Sequence, residues 1–490
     1  MFHVVLIISA ILVFFILKIL LGLYRLNSYL SEIPKPQPCS WFLGHTLAFS
    51  GFKDIFPETT KIINDNGGLI RVIIPPAMAV MTTDKNVIRA VLKTQGAKGH
   101  CTYFIKPWLE EGLFTSEGTK WRERKKILSV CFGNLDLLKN FIRVFEEIGN
   151  DLVDVLETKI DEKCLNVIPL MKKYTMDVLC GTALGVPMKS NHYDSYTKSV
   201  DNLCTIIGSR LHSPHKKIDF LFRFTEEYRI HQKSLKIVND YFDEVFEDKL
   251  KQSYVDFDMK ERLTFLDSLI RSYKNGGQVT KDDIREEVNT FMFAGYDTSS
   301  IAMAFILYLL AHNPTVQEKV VQEQIDIFGS LTPDGPIDYD HLQRMRYLET
   351  VIMESLRLYP SAPLIGRMLS DDIHLENGIV LPKSCVVLLY IYGCHHNPKY
   401  FPEPEKFIPE RFEKDDIESN TYLPFGIGQR VCIGKKFAIL ETKSCISKIV
   451  RKFRLLPSVP DTKPQLIFQM LIASKNGVNI SLERRNSQCI

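Results

Sequence analysis

The sequence predicts a mainly α chain with small β sheets at its margin and one N-terminal transmembrane helix. Three observations carry that prediction. From about Thr119 to Leu358 the chain has few prolines and repeats apolar residues at three- and four-residue spacing, the helical period. Alternating, turn-bounded strand signals fall almost entirely outside that stretch. The chain also opens on a nearly continuous apolar run, Val4 to Tyr24.

In chain order, Val4 to Leu17 is unbroken apolar sequence, Lys18 interrupts it, and Ile19 to Tyr24 resumes it. The run makes roughly 30 Å of helix, enough for one bilayer crossing, and a lysine near its end can snorkel toward the headgroups. A cleaved signal peptide fits less well, because Met1-Phe2-His3 carries no basic segment and no small-x-small site precedes Arg25. Arg25, Lys35 and later cations place the bulk of the protein on the cytoplasmic side. Ile33 to Pro38, with three prolines, reads as a stiff spacer. The expected organisation is an anchor over 1–24, a proline-rich linker over 25–38 and a catalytic body over 39–490.

Leu69 to Ile74 and Ala77 to Met81, separated by Pro75-Pro76, read as paired strands. The clearest helix opens at Thr280, with Asp283 placed to complete a capping box, and closes near Pro314. Those 33 or so residues span roughly 50 Å, so the helix crosses the whole body. Asn377-Gly378 predicts a hairpin, as does Asn476-Gly477.

Composition excludes several classes. With 490 residues, 45% hydrophobic and 24% charged, the chain is neither disordered nor fibrous. Lys plus Arg 61 against Asp plus Glu 58 gives +3, too little excess to make nucleic acid the partner. The 11 cysteines form no Cys-x-x-Cys pair, which suits a reducing compartment. Cys394-His395-His396 does not read as a zinc site, since adjacent residues cannot close a tetrahedron alone.

Pro424 to Gly434 (PFGIGQRVCIG) carries the chemistry. Its glycines allow a tight turn and close backbone approach, and Cys432 stands at the start of a predicted helix, Gly434 to Phe453. A helix N-terminus and nearby cations favour the thiolate, so Cys432 is expected to be anionic. A dinucleotide loop is a poorer fit, because Gly426-x-Gly428 is followed by Val431 where a third glycine belongs. A glycine turn with a buried, inert cysteine is the bland alternative.

Phe425-x-x-Gly428-x-Arg430-x-Cys432-x-Gly434 resembles the haem-thiolate loop of the cytochromes P-450. Three further signatures of that family occur in its order: Ala294-Gly295-Tyr296-Asp297-Thr298 in the long helix, Glu354-x-x-Arg357, and Arg411 in Pro409-Glu410-Arg411-Phe412. The resemblance covers nearly the whole chain and implies the cytochrome P-450 fold. It implies haem b with Cys432 as axial iron ligand, and Phe425 and Gly434 as parts of the cofactor loop. It further implies that Gly295 leaves room for dioxygen and that Thr298, helped by Asp297, positions water and protons. Trp121, Arg367 and Arg430 match the residues that satisfy the haem propionates, with Lys125 where an arginine is usual. Glu354, Arg357 and Arg411 would brace the pocket from the proximal side. Arg124, Lys125 and Lys126 together with Lys435, Lys436 and Lys443 would offer a basic surface to an acidic electron donor.

The helix signature is most similar to the animal family-four branch, in its insect-type members. Many of these have a glutamate, esterified to haem, where this chain has Ala294; haem is therefore expected to be non-covalent apart from the Cys432 sulfur. Ser129 to Gly133 also departs from the branch's usual run. The implied activity is monooxygenation of an apolar small molecule at the endoplasmic reticulum membrane. The implied partners are NADPH-cytochrome P-450 reductase, a cytochrome b-type donor and membrane lipid. A haem- or lipid-binding protein of the same fold without turnover is the alternative.

Overall fold

The computed structural model describes residues 14, 18 and 21–485, apart from 41–43, 46–53, 75–76, 95–97, 99–101, 186–189, 253–263, 275–278, 332–334 and 415–416. Most of the expected membrane span lies outside the described residues; residues 14, 18 and 21–24 of it are helical. Among those described, one helix is long and apolar enough to cross a membrane, and 78% of its apolar window is buried inside the protein.

That helix is the axis of the fold. The main elements before it are α1 (Ile55–Asp65), β1 (Leu69–Ile74), β2 (Ala77–Thr82), α2 (Lys85–Lys93), α3 (Gly118–Gly133), α4 (Leu135–Glu157), β3 (Leu165–Asn166), α5 (Ile168–Leu179), α6 (Ser190–His212) and α7 (Glu226–Gln252), with shorter helices among them and the helix Phe265–Lys274 before the axis. The axis is α8 (Lys281–His312), followed by α9 (Pro314–Phe328), α10 (Arg346–Leu358), β4 (Ile365–Met368), β5 (Ile373–His374), β6 (Val380–Leu381) and β7 (Val386–Leu389). The chain ends with α11 (Lys435–Lys452), β8 (Phe453–Pro457), β9 (Leu466–Gln469), β10 (Leu471–Ser474) and β11 (Asn479–Arg484).

The start of α8 follows from local chemistry. The Thr280 side chain accepts from Asp283 N, and Asp283 bonds back to Thr280 N, the reciprocal box the sequence predicts. Nearly every α8 residue from Ser299 to Ala311 is buried, so tertiary packing rather than propensity holds the helix. It lies within one large apolar cluster that also takes in α4, α5, α10 and α11.

The expected strand pair forms antiparallel from Leu69↔Thr82 to Ile74↔Ala77. It extends to a four-stranded sheet in the order β1-β2-β7-β4, with β2 and β7 parallel. A second core lies against this sheet and contains Leu30 and Ile33. Arg71 N donates to Pro34 O at 2.9 Å, so the proline-rich segment packs on the sheet as well as leading to it.

The Asn377-Gly378 turn joins β5 to antiparallel β6, as expected. The Asn476-Gly477 hairpin does not form: β10 pairs with β9, whereas β11 pairs with β3 and β8. Asn476 instead ties a strand crossing together, its Oδ1 accepting from Gln465 N at 2.8 Å and Ser474 Oγ at 2.9 Å. The actual tight turn is at Met470, with φ of 71°, between Gln469 and Leu471. Methionine carries no turn signature, so packing decided it.

Candidate functional site

The loop before α11 is shaped by two left-handed glycines, Gly426 (φ 65°) and Gly428 (φ 74°), a conformation costly for other residues. A side chain at Gly428 would also come within 3.1 Å of Leu92 O. The loop closes when Cys432 N donates to Phe425 O at 2.9 Å, which brings the phenylalanine and the cysteine together. Gly434 caps α11 with φ of −82° and would accept a Cβ at ordinary contact, 3.9 Å from Cys432 Sγ. Close backbone approach therefore requires glycine at Gly428 and not, among the described residues, at Gly434.

Cys432 is enclosed by protein deeply enough that burial raises its thiol pKa, against the pull of backbone N–H groups at Gly434 and Lys435 and of the Lys98 and Lys435 charges. Its surface is nevertheless exposed. Both hold for a side chain that faces an internal hollow. The expectation of an anion is corrected for the protein alone: α11 begins three residues beyond Cys432, and desolvation outweighs the helix terminus. A bound metal cation would reverse the balance, since a coordinating thiol is deprotonated outright.

A cluster of cations lies beside the loop. The Arg430 guanidinium is 3.9 Å from the Trp121 ring, and its Nη2 donates to Ser116 O at 2.9 Å. Its Nη1 is buried without a hydrogen-bond partner. Trp121, Arg367 and Arg430 line one cleft. Burial, reinforced by the Arg367 charge, brings the Arg430 pKa down to about 10. Two like charges and an unmade donor in one cleft are costly unless an anion joins them, so this set fits the carboxylates of a haem group. Lys125 stands 5.2 Å from the Trp121 ring and donates to Gln429 O at 2.5 Å, a structural tie between α3 and the loop.

The expected basic surface is smaller than the sequence suggested. Arg124 is buried against Asp283, Glu286 at 3.0 Å and Glu287 at 3.6 Å, pinning α3 to the start of α8. Lys443 is buried too, donating to Leu342 O at 3.0 Å and Glu349 at 2.7 Å. Both are corrections: their positions on α3 and α11 turn inward, where a charge survives only with partners. Lys126, Lys435 and Lys436 remain exposed. Within the Arg124 cluster, burial raises the Glu287 carboxyl to about 7.

On α8, Ala294 is exposed and Phe291, Gly295 and Thr298 are half-buried between neighbours that are buried, so this stretch borders open space inside the body. The Thr298 hydroxyl donates to Ala294 O at 2.5 Å. A Cβ at Gly295 would lie 2.6 Å from Leu179 Cδ2, so the glycine lets α5 pack closely against α8. The surface opened on this helix belongs to Ala294. Asp297 is buried and turned toward α5 and α6, 3.0 Å from Lys172 Nζ, which also donates to Asp201 at 2.7 Å. Burial would lower the Lys172 pKa, but the two carboxylates raise it. Lys172 and Asp201 were not legible as site residues, since no local spacing connects them to Asp297.

The brace assembles fully. Arg357 Nε donates to Glu354 Oε2 at 2.7 Å and Nη2 to Oε1 at 2.9 Å, both side chains having 0% exposure. Arg357 also donates to the carbonyls of His395, Pro404 and Lys406. Arg411 Nε completes the cluster at 3.3 Å from Glu354 Oε1. His395 Nε2 accepts from Leu423 N at 2.8 Å while its ring Nδ1 lies 3.2 Å from Arg357 O. The histidine thus connects α10 to the approach of the cysteine loop, and burial holds its pKa well below the usual range.

The family described as Cytochrome P450 matches residues 34–481. Cytochrome P450 4c3 of Drosophila melanogaster is 33% identical, covering 94% of this chain and 91% of the relative. Cytochrome P450 4d2 of Drosophila melanogaster is 32% identical over 92% of this chain and 94% of its own length. Human cytochrome P450 4V2 is 34% identical over 84% of this chain and 81% of its own.

Proposed function

The chain belongs to the cytochrome P450 family and is a haem-thiolate monooxygenase, and from that premise we propose how its residues share the work. Bound haem supplies the dioxygen chemistry, with electrons delivered from NADPH through cytochrome P-450 reductase or a cytochrome b-type donor. Cys432 Sγ would hold the haem iron; its enclosed but accessible surface is the observation that supports this reading. Arg430, Arg367 and Trp121 take the propionates, and Lys125 steadies the loop by holding Gln429 O. Haem b is held without an ester, because Ala294 offers only a methyl group to the hollow.

Thr298 Oγ1, its proton directed at Ala294 O, keeps lone pairs available to hold a water on the α8 side. Asp297 stands one residue away, 3.0 Å from Lys172 Nζ on α5. Glu354, Arg357 and Arg411 keep the loop's approach rigid. Residues 1–24 anchor the protein in the endoplasmic reticulum membrane, residues 25–38 lead to the body, and 39–490 form the cytoplasmic catalytic domain. The substrate is an apolar small molecule.

The test is the reduced carbon-monoxide difference spectrum of purified protein. The natural chain should give the thiolate-type band and Cys432→Ser should lose it completely. A retained thiolate-type band in that variant would overturn the ligand assignment.

A further inference from the structure

A cleft of about 580 Å³ lies between α4, α11 and residues 335–337. Its charged lining is Arg143, Glu146 and Glu147 from α4, with Lys448, Arg451 and Lys452 from α11. Glu146 is already satisfied: it accepts from Lys448 Nζ at 3.0 Å, Ser444 Oγ at 2.9 Å and Ile337 N at 3.2 Å. Set aside, that pair leaves three cations, Arg143, Arg451 and Lys452, against the single carboxylate of Glu147. None of these four forms an ion pair within 4.0 Å among the described residues.

Arg451 separates this cleft from an ordinary solvated basic face. It is only 8% exposed, and its Nε is buried with no hydrogen-bond partner. Its Nη1 reaches only Leu331 O, at 3.5 Å, and the guanidinium lies 4.9 Å from the Phe328 ring centroid. A buried guanidinium N–H left unmade is costly, and a forked donor matches an oxyanion better than a single lone pair does. Apart from Asn150, which accepts from Lys448, and Gly335, the remaining wall is apolar, through Val153, Leu331, Pro336 and Ile337, and the volume far exceeds one tetrahedral oxyanion.

We propose that this cleft binds a phosphomonoester carrying a small apolar body, with Arg451 and Arg143 holding the phosphate and the aliphatic wall holding the rest. Among the described residues, three cations less one carboxylate leave a net charge of +2, matched by the near-dianion that a phosphomonoester carries at neutral pH. The site is separate from the haem pocket and does not depend on the monooxygenase reading.

The test is calorimetric titration of the full-length holoprotein at constant ionic strength, with phenyl phosphate and inorganic phosphate as probes. Phenyl phosphate should bind, and more tightly than inorganic phosphate. Arg451→Gln should weaken it roughly ten-fold or more, the loss expected when a charge-assisted donor is removed. Arg143→Gln, at an exposed position that folding does not need, should weaken it several-fold, with the carbon-monoxide spectrum unchanged. Absence of binding, equal affinity for both probes, or unchanged affinity in folded Arg143→Gln would each overturn the proposal.

Discussion

The two sides of the haem-thiolate site are held together by opposite means. Behind the cysteine loop, Glu354 and Arg357 are wholly buried, and their charges meet each other, Arg411 and three backbone carbonyls. Toward α3 and α8, Glu287 is buried and Arg430 half-buried, but Arg430 Nη1 and Glu287 Oε1 lack hydrogen-bond partners. Full pairing marks the scaffold, where removal of one partner strands the other. Incomplete pairing marks the side on which a bound group or a proton completes the chemistry.

Arg357→Met should sharpen that contrast most. It strips the fully buried Glu354 of its two-pronged partner, leaving only Arg411 at 3.3 Å and Ile408 N, a change worth about 3–5 kcal/mol, so little folded protein should remain in denaturant titrations. Stability close to that of the natural chain would dissolve the distinction between the two sides.

Glu287→Gln tests the incompletely paired side through pH. The Glu287 carboxyl moves from 4.5 to about 7 on folding, so the folded state holds the proton more tightly. Its contribution is fully present below about pH 4.5 and is lost as pH rises through about 7, amounting to at most about 3 kcal/mol. The variant should therefore lose less stability than the natural chain between those pH values. Parallel stability curves would show that Arg124 already compensates the charge.

Gly295→Ala is the smallest change. A methyl group against Leu179 should cost about 1–3 kcal/mol of stability by overpacking α5 on α8, seen as a lowered unfolding midpoint. An unchanged midpoint with impaired ligand binding would instead give Gly295 the role of leaving room at the haem.

Local chemistry was legible wherever neighbours in the chain supply both halves of an interaction. The Thr280–Asp283 box, the strand pair flanking Pro75-Pro76, the Asn377-Gly378 hairpin and the glycine turn before Cys432 are of this kind. The Glu354–Arg357 spacing was legible as a pair but not as a buried one. Arg124 and Lys443 were misplaced on the surface because charge in a sequence does not say which way a helix faces.

The sequence by itself determined the reaction, because an ordered set of short motifs places Cys432, Arg430, Thr298 and the Glu354 cluster without reference to distant contacts. Tertiary structure alone decided that Gly295 admits Leu179, that Asn476 ties a crossing instead of turning a hairpin, and that Asp297 turns to Lys172. It also brought Arg143 and Arg451 to one cleft. Each depends on which helix packs against which, and the desolvation that raises the Cys432 thiol and Glu287 carboxyl pKa exists only once that packing is complete.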